Sequence, residues 1–341
     1  MKSLLKFVVA GIIAFIFLNI LCIFYYINPD FISTKNEVTD FYWEPHSYYS
    51  RMTEGFGYGK MNNEGFNNIQ DYNYGQPIDI LLMGSSHMEG ANVPQDKTTS
   101  AVLNELYNKS KYVYNIGVSG HDFPHIINNI QTAVQFYNPK EYVIIEISNF
   151  HYDIRELEQS IDSNLTRIST NDSKFIQFLK KIPYLNKIPY LRLLKLQYQY
   201  YRDSHKNINY SENNDTYVNE DTHKQILEAV FMKLSSISDK YKIKVIILYH
   251  PELTLNYDGS ILDNTDTNIL SLFNKFSEEY NVLFLNMRDK FSEEYNKYHT
   301  TPYGFLNTAV IVGHLNRFGH QLIANEIYTQ INLPGKEGIV K

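Results

Sequence analysis

Five short runs of β-branched and other apolar residues, each separated from the next by a stretch with helical spacing, constrain this chain more than any other feature. The runs are Ile78–Met83, Tyr112–Ile116, Tyr142–Ile147, Ile243–Tyr249 and Val282–Leu285. Runs this short and this apolar suit strands buried on both faces. Apolar residues recur at helical spacing over about 98–109, 123–137, 220–240, 265–280 and 317–331. Strand alternating with helix predicts an α/β domain, with a parallel sheet between two helical layers.

Residues 152–219 interrupt the alternation. Ile182-Pro183-Tyr184-Leu185 recurs as Ile188-Pro189-Tyr190-Leu191, a Tyr-rich stretch (196–201) follows, and a polar run (207–221) closes the segment. It reads as a partly helical insertion between the third and fourth strands, either a lid or membrane-facing cap or a surface elaboration. A second local repeat, Lys275–Asn281 echoed at 290–296, is one duplication and too little for a repeat architecture.

At the other end, Phe7 to Ile27 is an apolar run broken only by Asn19. At about 1.5 Å per residue it spans about 30 Å, one bilayer core. Lys2 and Lys6 precede it; Asp30, Glu37, Asp40 and Glu44 follow it. The excess of positive charge before the run predicts a cytoplasmic N-terminus and an extracytoplasmic remainder. No small-x-small cleavage pattern follows, so 1–27 reads as an uncleaved anchor in the cell membrane. Residues 28–77, rich in Tyr, Asn and Gly and weakly periodic, read as a stalk and irregular lead-in, and 78–332 as the catalytic domain.

The formal net charge of −6 and the absence of a basic stripe exclude a nucleic-acid binder of the usual electrostatic kind. The only cysteine, Cys22, lies inside the apolar run, which leaves the exported part without a disulfide, a thiol nucleophile or a cysteine metal site. His121 and His125 are four apart, but Pro124 lies between them and no third ligand completes a zinc pattern. No metal and no cofactor is expected.

In such a sheet, ligands bind beyond the carboxyl ends of the strands, near the switch point of strand order. Gly84-Ser85-Ser86-His87 follows the first strand, Gly117-Val118-Ser119-Gly120 the second, Ser148-Asn149 the third and His250-Pro251-Glu252 the fourth. Gly313-His314-Leu315-Asn316 opens the last helical pattern. A serine with a histidine to take its proton is the equipment of nucleophilic acyl transfer. Ser86 is the candidate nucleophile and His314 the candidate base. The N–H groups of Ser86 and Gly120 and the Asn149 amide are candidate oxyanion donors. His87, His250 and Asn307 are candidate pocket-lining residues. The first block lacks the final glycine of a Gly-x-Ser-x-Gly elbow, which disfavours the α/β-hydrolase fold.

The blocks GSSH, NIGVSG, EISN and GHLN, in this order, resemble those of the SGNH (GDSL-like) hydrolase superfamily across roughly residues 78–330, the insertion excepted. The resemblance implies a flavodoxin-like three-layer sandwich with a five-stranded parallel sheet. It also implies a Ser-type esterase or O-acyltransferase. The anchor and the HLNxxG form resemble the membrane-anchored branch that modifies cell-envelope polymers. That branch implies an envelope polysaccharide or acylated carbohydrate as substrate, with a multi-spanning membrane acyl-donor protein as candidate partner. Two departures stand out. Ser85 occupies the place of the usual Asp, and Ile311 and Val312 occupy positions where the family carries an acid before its histidine. This leaves three readings: a Ser86–His314 dyad, a substitute such as Asn307, Glu252 or Asp289, or an inactive protein that binds glycan or a membrane partner.

Overall fold

The computed structural model describes residues 2–32, 38–39, 42–150, 152–162, 188–206 and 220–333. Helix α1 (Lys2–Tyr25) opens the chain and is long and apolar enough to cross a membrane. Five short strands follow: β1 (Tyr26–Ile27), β2 (Phe31–Ile32), β3 (Tyr42–Trp43), β4 (Tyr48–Arg51) and β5 (Gly57–Lys60). The alternating region then begins with β6 (Ile80–Met83), α2 (Ser86–Glu89), α3 (Thr99–Tyr107), β7 (Val113–Asn115), α4 (Phe123–Tyr137) and β8 (Tyr142–Ser148). The insertion contributes α5 (Ile154–Ile161) and α6 (Pro189–Lys206). The first Ile-Pro-Tyr-Leu copy lies outside the described residues; the second opens α6. After α7 (Glu220–Tyr241) and β9 (Lys244–His250) come the hairpin β10 (Leu253–Leu255) and β11 (Ile261–Asp263), α8 (Thr267–Glu279) and β12 (Leu283–Asn286). The chain closes with α9 (Arg288–Tyr298), the hairpin β13 (Tyr303–Gly304) and β14 (Val310–Leu315), and α10 (Arg317–Asn332).

The main sheet runs β12-β9-β8-β6-β7, all parallel. Counted from β6 this is the order 2-1-3-4-5 of a doubly wound, flavodoxin-like sheet, whose switch point lies between β6 and β8. Alternation along β6 sends Ile80 and Leu82 to one face and Leu81 and Met83 to the other. Leu81 and Met83 join Ile127 and Ile130 of α4 and Phe231 of α7. Ile80 and Leu82 join Leu103 of α3 and Ile323 of α10. All five expected strands and all five expected helices are present. Helix α9 was not expected, and it carries the second copy of the Lys275–Asn281 pattern. Phe276 of α8 and Phe291 of α9 hold the same place in the two copies and are fully buried on opposite sheet faces.

Residues 42–76 depart from the stalk expectation, because they pack on the domain. Strand β4 pairs antiparallel with β5, and also with β1, the direct continuation of α1. Trp43, Tyr49 and Met61 bury against Ala91, just beyond α2. Burying an aromatic side chain of this size contributes about 1.5–3 kcal/mol, enough to hold a short hairpin in place. The alternation is short here and interrupted by glycines, so periodicity did not reveal it.

Candidate active site

The turn that carries Ser86 follows from the switch point. Strand β6 ends at Met83, and Gly84 leaves no room for a side chain: a Cβ there would stand 2.5 Å from Glu146 Oε2. Ser85 caps α2, its hydroxyl accepting the His87 N–H at 3.2 Å, and its own N–H donates to Glu146 Oε2 at 2.7 Å. Ser86 is therefore the first residue of α2, fixed from below by a carboxylate on the neighbouring strand β8. Glu89, one turn on and fully buried, accepts hydrogen bonds from the Trp43 indole N–H and the Ser119 hydroxyl, with Arg51 Nη2 3.7 Å away.

His314 lies near the end of β14, the strand that leads into α10. Its Nε2 is 3.0 Å from Ser86 Oγ. Its Nδ1 is 2.8 Å from Glu54 Oε1, and its backbone N–H donates to the same oxygen at 2.9 Å. The approach at Nδ1 is close but off the line of a straight N–H···O bond. The short separation decides the pairing. Gly313, at φ +95°, permits it: a Cβ there would be 2.3 Å from Glu54 Oε1. Burial pushes the Glu54 carboxyl up, but the ring and backbone of His314 and the charge of Arg51 outweigh it and hold the group below its ordinary value.

Glu54 sits in the β4–β5 loop, clamped from two sides. The Asn92 amide donates to Glu54 O at 2.9 Å, and Phe56 N–H to Asn92 O at 3.2 Å. Asn307 accepts the Gly55 N–H at 3.0 Å and donates to Met52 O at 2.8 Å and Gly55 O at 2.9 Å.

Several sequence expectations change here. The carboxylate beside His314 is Glu54, not Glu252, Asp289 or Asn307. Asn307 braces the acid's loop. Glu252 is joined to Asn149, its N–H donating to Asn149 Oδ1 at 2.6 Å and its Oε2 accepting from Asn149 Nδ2 at 3.1 Å. One Nδ2 hydrogen of Asn149 is left over from that contact. Asp289 belongs to the first turn of α9. His250 is wholly buried. Its Nε2 lies 2.8 Å from Glu146 Oε1 and its Nδ1 2.6 Å from Tyr303 Oη, which donates to Pro251 O at 2.7 Å.

His87 packs against His250, Tyr303 and His314, at ring separations of 4.9, 6.0 and 5.3 Å. Its Nδ1 accepts the Leu315 N–H at 3.2 Å. Burial, with His250, His314 and His320 nearby, pushes it well below the ordinary histidine value, so it stays neutral. Gly120, at φ +92° and exposed, lies in a turn tied to the nucleophile turn by the Val118 N–H bond to Gly84 O at 3.1 Å. His125 pairs with Asp122, the cap of α4, at 2.6 Å. Among the described residues no group of three His, Cys, Asp or Glu is arranged to hold a metal.

Glu54, Glu89 and Glu146 were not singled out in the sequence. Glu146 carries a signal, as a lone charge inside the apolar run of β8. Glu89 lies one helical turn from Ser86. Glu54 has no local signal, because its partner is 260 residues away.

No protein-family model matches this chain, and no curated protein matches it. Solved structures do. The acetyl xylan esterase AlAXEase is 16% identical, with a TM-score of 0.43, over 74% of this chain and all of that one. A member of the lipolytic protein G-D-S-L family from Veillonella parvula is 14% identical, with a TM-score of 0.41, over 75% and 100%. A psychrotrophic esterase from Pseudoalteromonas is 15% identical, with a TM-score of 0.38, over 74% and 95%. At these identities and overlaps no chemistry passes from those proteins to this chain.

Proposed function

We propose that this protein is a serine-dependent acyl-transfer enzyme, an O-acyltransferase or esterase acting on cell-envelope carbohydrate through a covalent Ser86 ester. The observation that carries the reading is the row Ser86 Oγ, His314 Nε2, His314 Nδ1 and Glu54 Oε1, joined at 3.0 and 2.8 Å. His314 Nε2 takes the Ser86 proton as Oγ attacks the acyl carbonyl, and returns it to the alcohol as the carbonyl–oxygen bond breaks. Water or a sugar hydroxyl then attacks the Ser86 ester, giving its proton to His314, and the Ser86 oxygen leaves with that proton. Glu54 is a positioning residue. It fixes the ring and offsets the charge that His314 gains. Ser86 N–H, Gly120 N–H and the remaining Asn149 hydrogen are the proposed oxyanion donors.

The envelope setting rests on α1. With Lys2 and Lys6 on the cytoplasmic side and Asp30 beyond the span, the domain faces outward from the cell membrane. An envelope polysaccharide or acylated sugar is the proposed substrate, and a multi-spanning membrane protein the proposed acyl donor. The competing reading, a non-catalytic binding protein, drew its support from the lack of an acid before His314; Glu54 removes that support.

The test is labelling of the full chain by a fluorophosphonate serine probe. Labelling lost in both Ser86→Ala and His314→Ala is the expected result. A folded wild type that does not label would overturn the enzyme reading.

A further inference from the structure

Helix α6 docks on α1. The Tyr190 N–H donates to Asn19 Oδ1 at 3.1 Å, and the Tyr190 ring meets Phe15 edge-on at 6.5 Å. Three residues on, Leu193 shares an apolar groove with Leu21, Cys22, Phe24, Tyr25 and Met52. Arg192 reaches past the end of α1 to Asp30, at 2.6 Å, and to Asn28 O. The partners of α6 thus climb α1 in the same sense as the chain climbs α6.

Depth follows by arithmetic. Asn19 lies six residues before the end of α1, so α6 begins about 9 Å below that end. Rising alongside α1, Leu194 stands at most about 6 Å above Tyr190, Tyr198 about 12 Å and Tyr201 about 16 Å. Leu194 is then still beside α1, Tyr198 just past the end of that helix, and Tyr201 at the height of the lipid headgroups, a layer about 5–7 Å thick on each side. These three residues share one helix face (i, i+4, i+7) and are 46%, 45% and 62% exposed. The order Leu, Tyr, Tyr is the order that hydrocarbon and interface select.

The start of α6 also suits lipid. A helix that begins in hydrocarbon must satisfy its leading amides without water. Pro189 has no N–H, the Tyr190 N–H is taken by Asn19, and the Arg192 N–H donates to Ile188 O at 3.1 Å. This gives the one polar break in the apolar run a task, and Arg192 carries its charge up toward water.

We propose that α6 is a half-inserted membrane helix, with Leu194 against acyl chains and Tyr198 and Tyr201 at the headgroups, so that the domain meets the bilayer at two elements. The occupant of its exposed face is lipid. The proposal rests on α1 crossing a membrane, and the test separates the two claims. The full chain, with Cys22→Ser, is placed in phosphatidylcholine–phosphatidylglycerol vesicles with an environment-sensitive fluorophore at Ile12→Cys, Leu194→Cys or Tyr201→Cys. Retained fluorophosphonate labelling reports that each variant is folded. The expected result is several-fold quenching of the Ile12 and Leu194 probes by chain-labelled doxyl lipid, protection of both from iodide, and quenching of the Tyr201 probe mainly by headgroup-labelled lipid. A Leu194 probe quenched by iodide beside a lipid-quenched Ile12 probe would place α6 in water and sink the proposal alone. An iodide-quenched Ile12 probe would remove the span and the proposal together.

Discussion

Ser86 and His314 belong to the α/β domain, whereas Glu54 belongs to the hairpin in front of it. The first two are fixed by long-range packing. Ser86 opens a helix at the switch point, and His314 lies on β14, whose Leu315 and Ile311 are buried in the sheet's core. Glu54 is held by a loop with little core of its own, clamped by Asn92 and Asn307. That loop also follows β4, which pairs with the extension of α1, and the Met52 N–H donates to Tyr25 O at 2.9 Å. The difference teaches that Ser86 and His314 are set by the fold, while the carboxylate beside them comes from a segment tied to the apolar N-terminal helix. Only Thr53 separates the acid from Met52, whose N–H bonds the last residue of the apolar helix.

The sharpest way to break this comparison is Glu54→Gln. The side chain keeps its size and loses its charge, so His314 loses the group that orients it and offsets its proton. Turnover should fall by about 10²–10⁴-fold, with the Ser86 turn intact. A rate within threefold of wild type, in a steady-state assay with a chromogenic acyl ester, would separate the hairpin from the chemistry.

The next change attacks the domain side. Glu146 and His250 form a buried pair beneath the nucleophile, and Glu146 also accepts the Ser85 N–H. The Tyr303 hydroxyl gives its hydrogen to Pro251 O, so His250 Nδ1 must donate to Tyr303 Oη. Glu146→Gln breaks this buried pair and should cost about 3–5 kcal/mol of stability by denaturant unfolding. A midpoint within error of wild type would mean that the turn stands without it.

What could be read from the sequence divides along the same line. The strands, most helices and the Ser86–His314 pair were legible, because buried strands leave apolar runs and sites follow strand ends. Glu54 was not, because a polar loop has no period and its meaning lies wholly in a partner far along the chain. Asn307 was singled out as a pocket-lining residue or a substitute for the missing acid, and its amide serves the backbone of the acid's loop. Asn307→Ala removes three hydrogen bonds from that loop. It should lower turnover about tenfold and cost about 1–3 kcal/mol, both less than the losses above. A variant that loses stability but keeps full turnover would show that the loop needs no bracing to hold Glu54.

Acid titration sharpens the comparison with the smallest effect. His320, on α10, is wholly buried with Nδ1 2.9 Å from Thr99 Oγ1 of α3. Burial, with the charges of His250 and His314, pushes it from 6.5 down to about 3. Its folded value lies below its unfolded one, so the unfolded chain takes up the proton first as pH falls. Its share of stability is intact above about 6.5 and drains between there and about 3, at up to about 1.4 kcal/mol per pH unit. His87 acts in the same direction. Glu54 also has a depressed folded value, but from a carboxylate reference of 4.5, so its contribution is held until the pH falls below that and is lost through its lower folded value. Acid should therefore loosen the α3–α10 layer before it releases the hairpin. Thermal unfolding from pH 7 to pH 5 should show a falling midpoint that His320→Gln flattens in part and Glu54→Gln leaves unchanged in slope. The reverse pattern would make the hairpin, and not the domain, the acid-sensitive half.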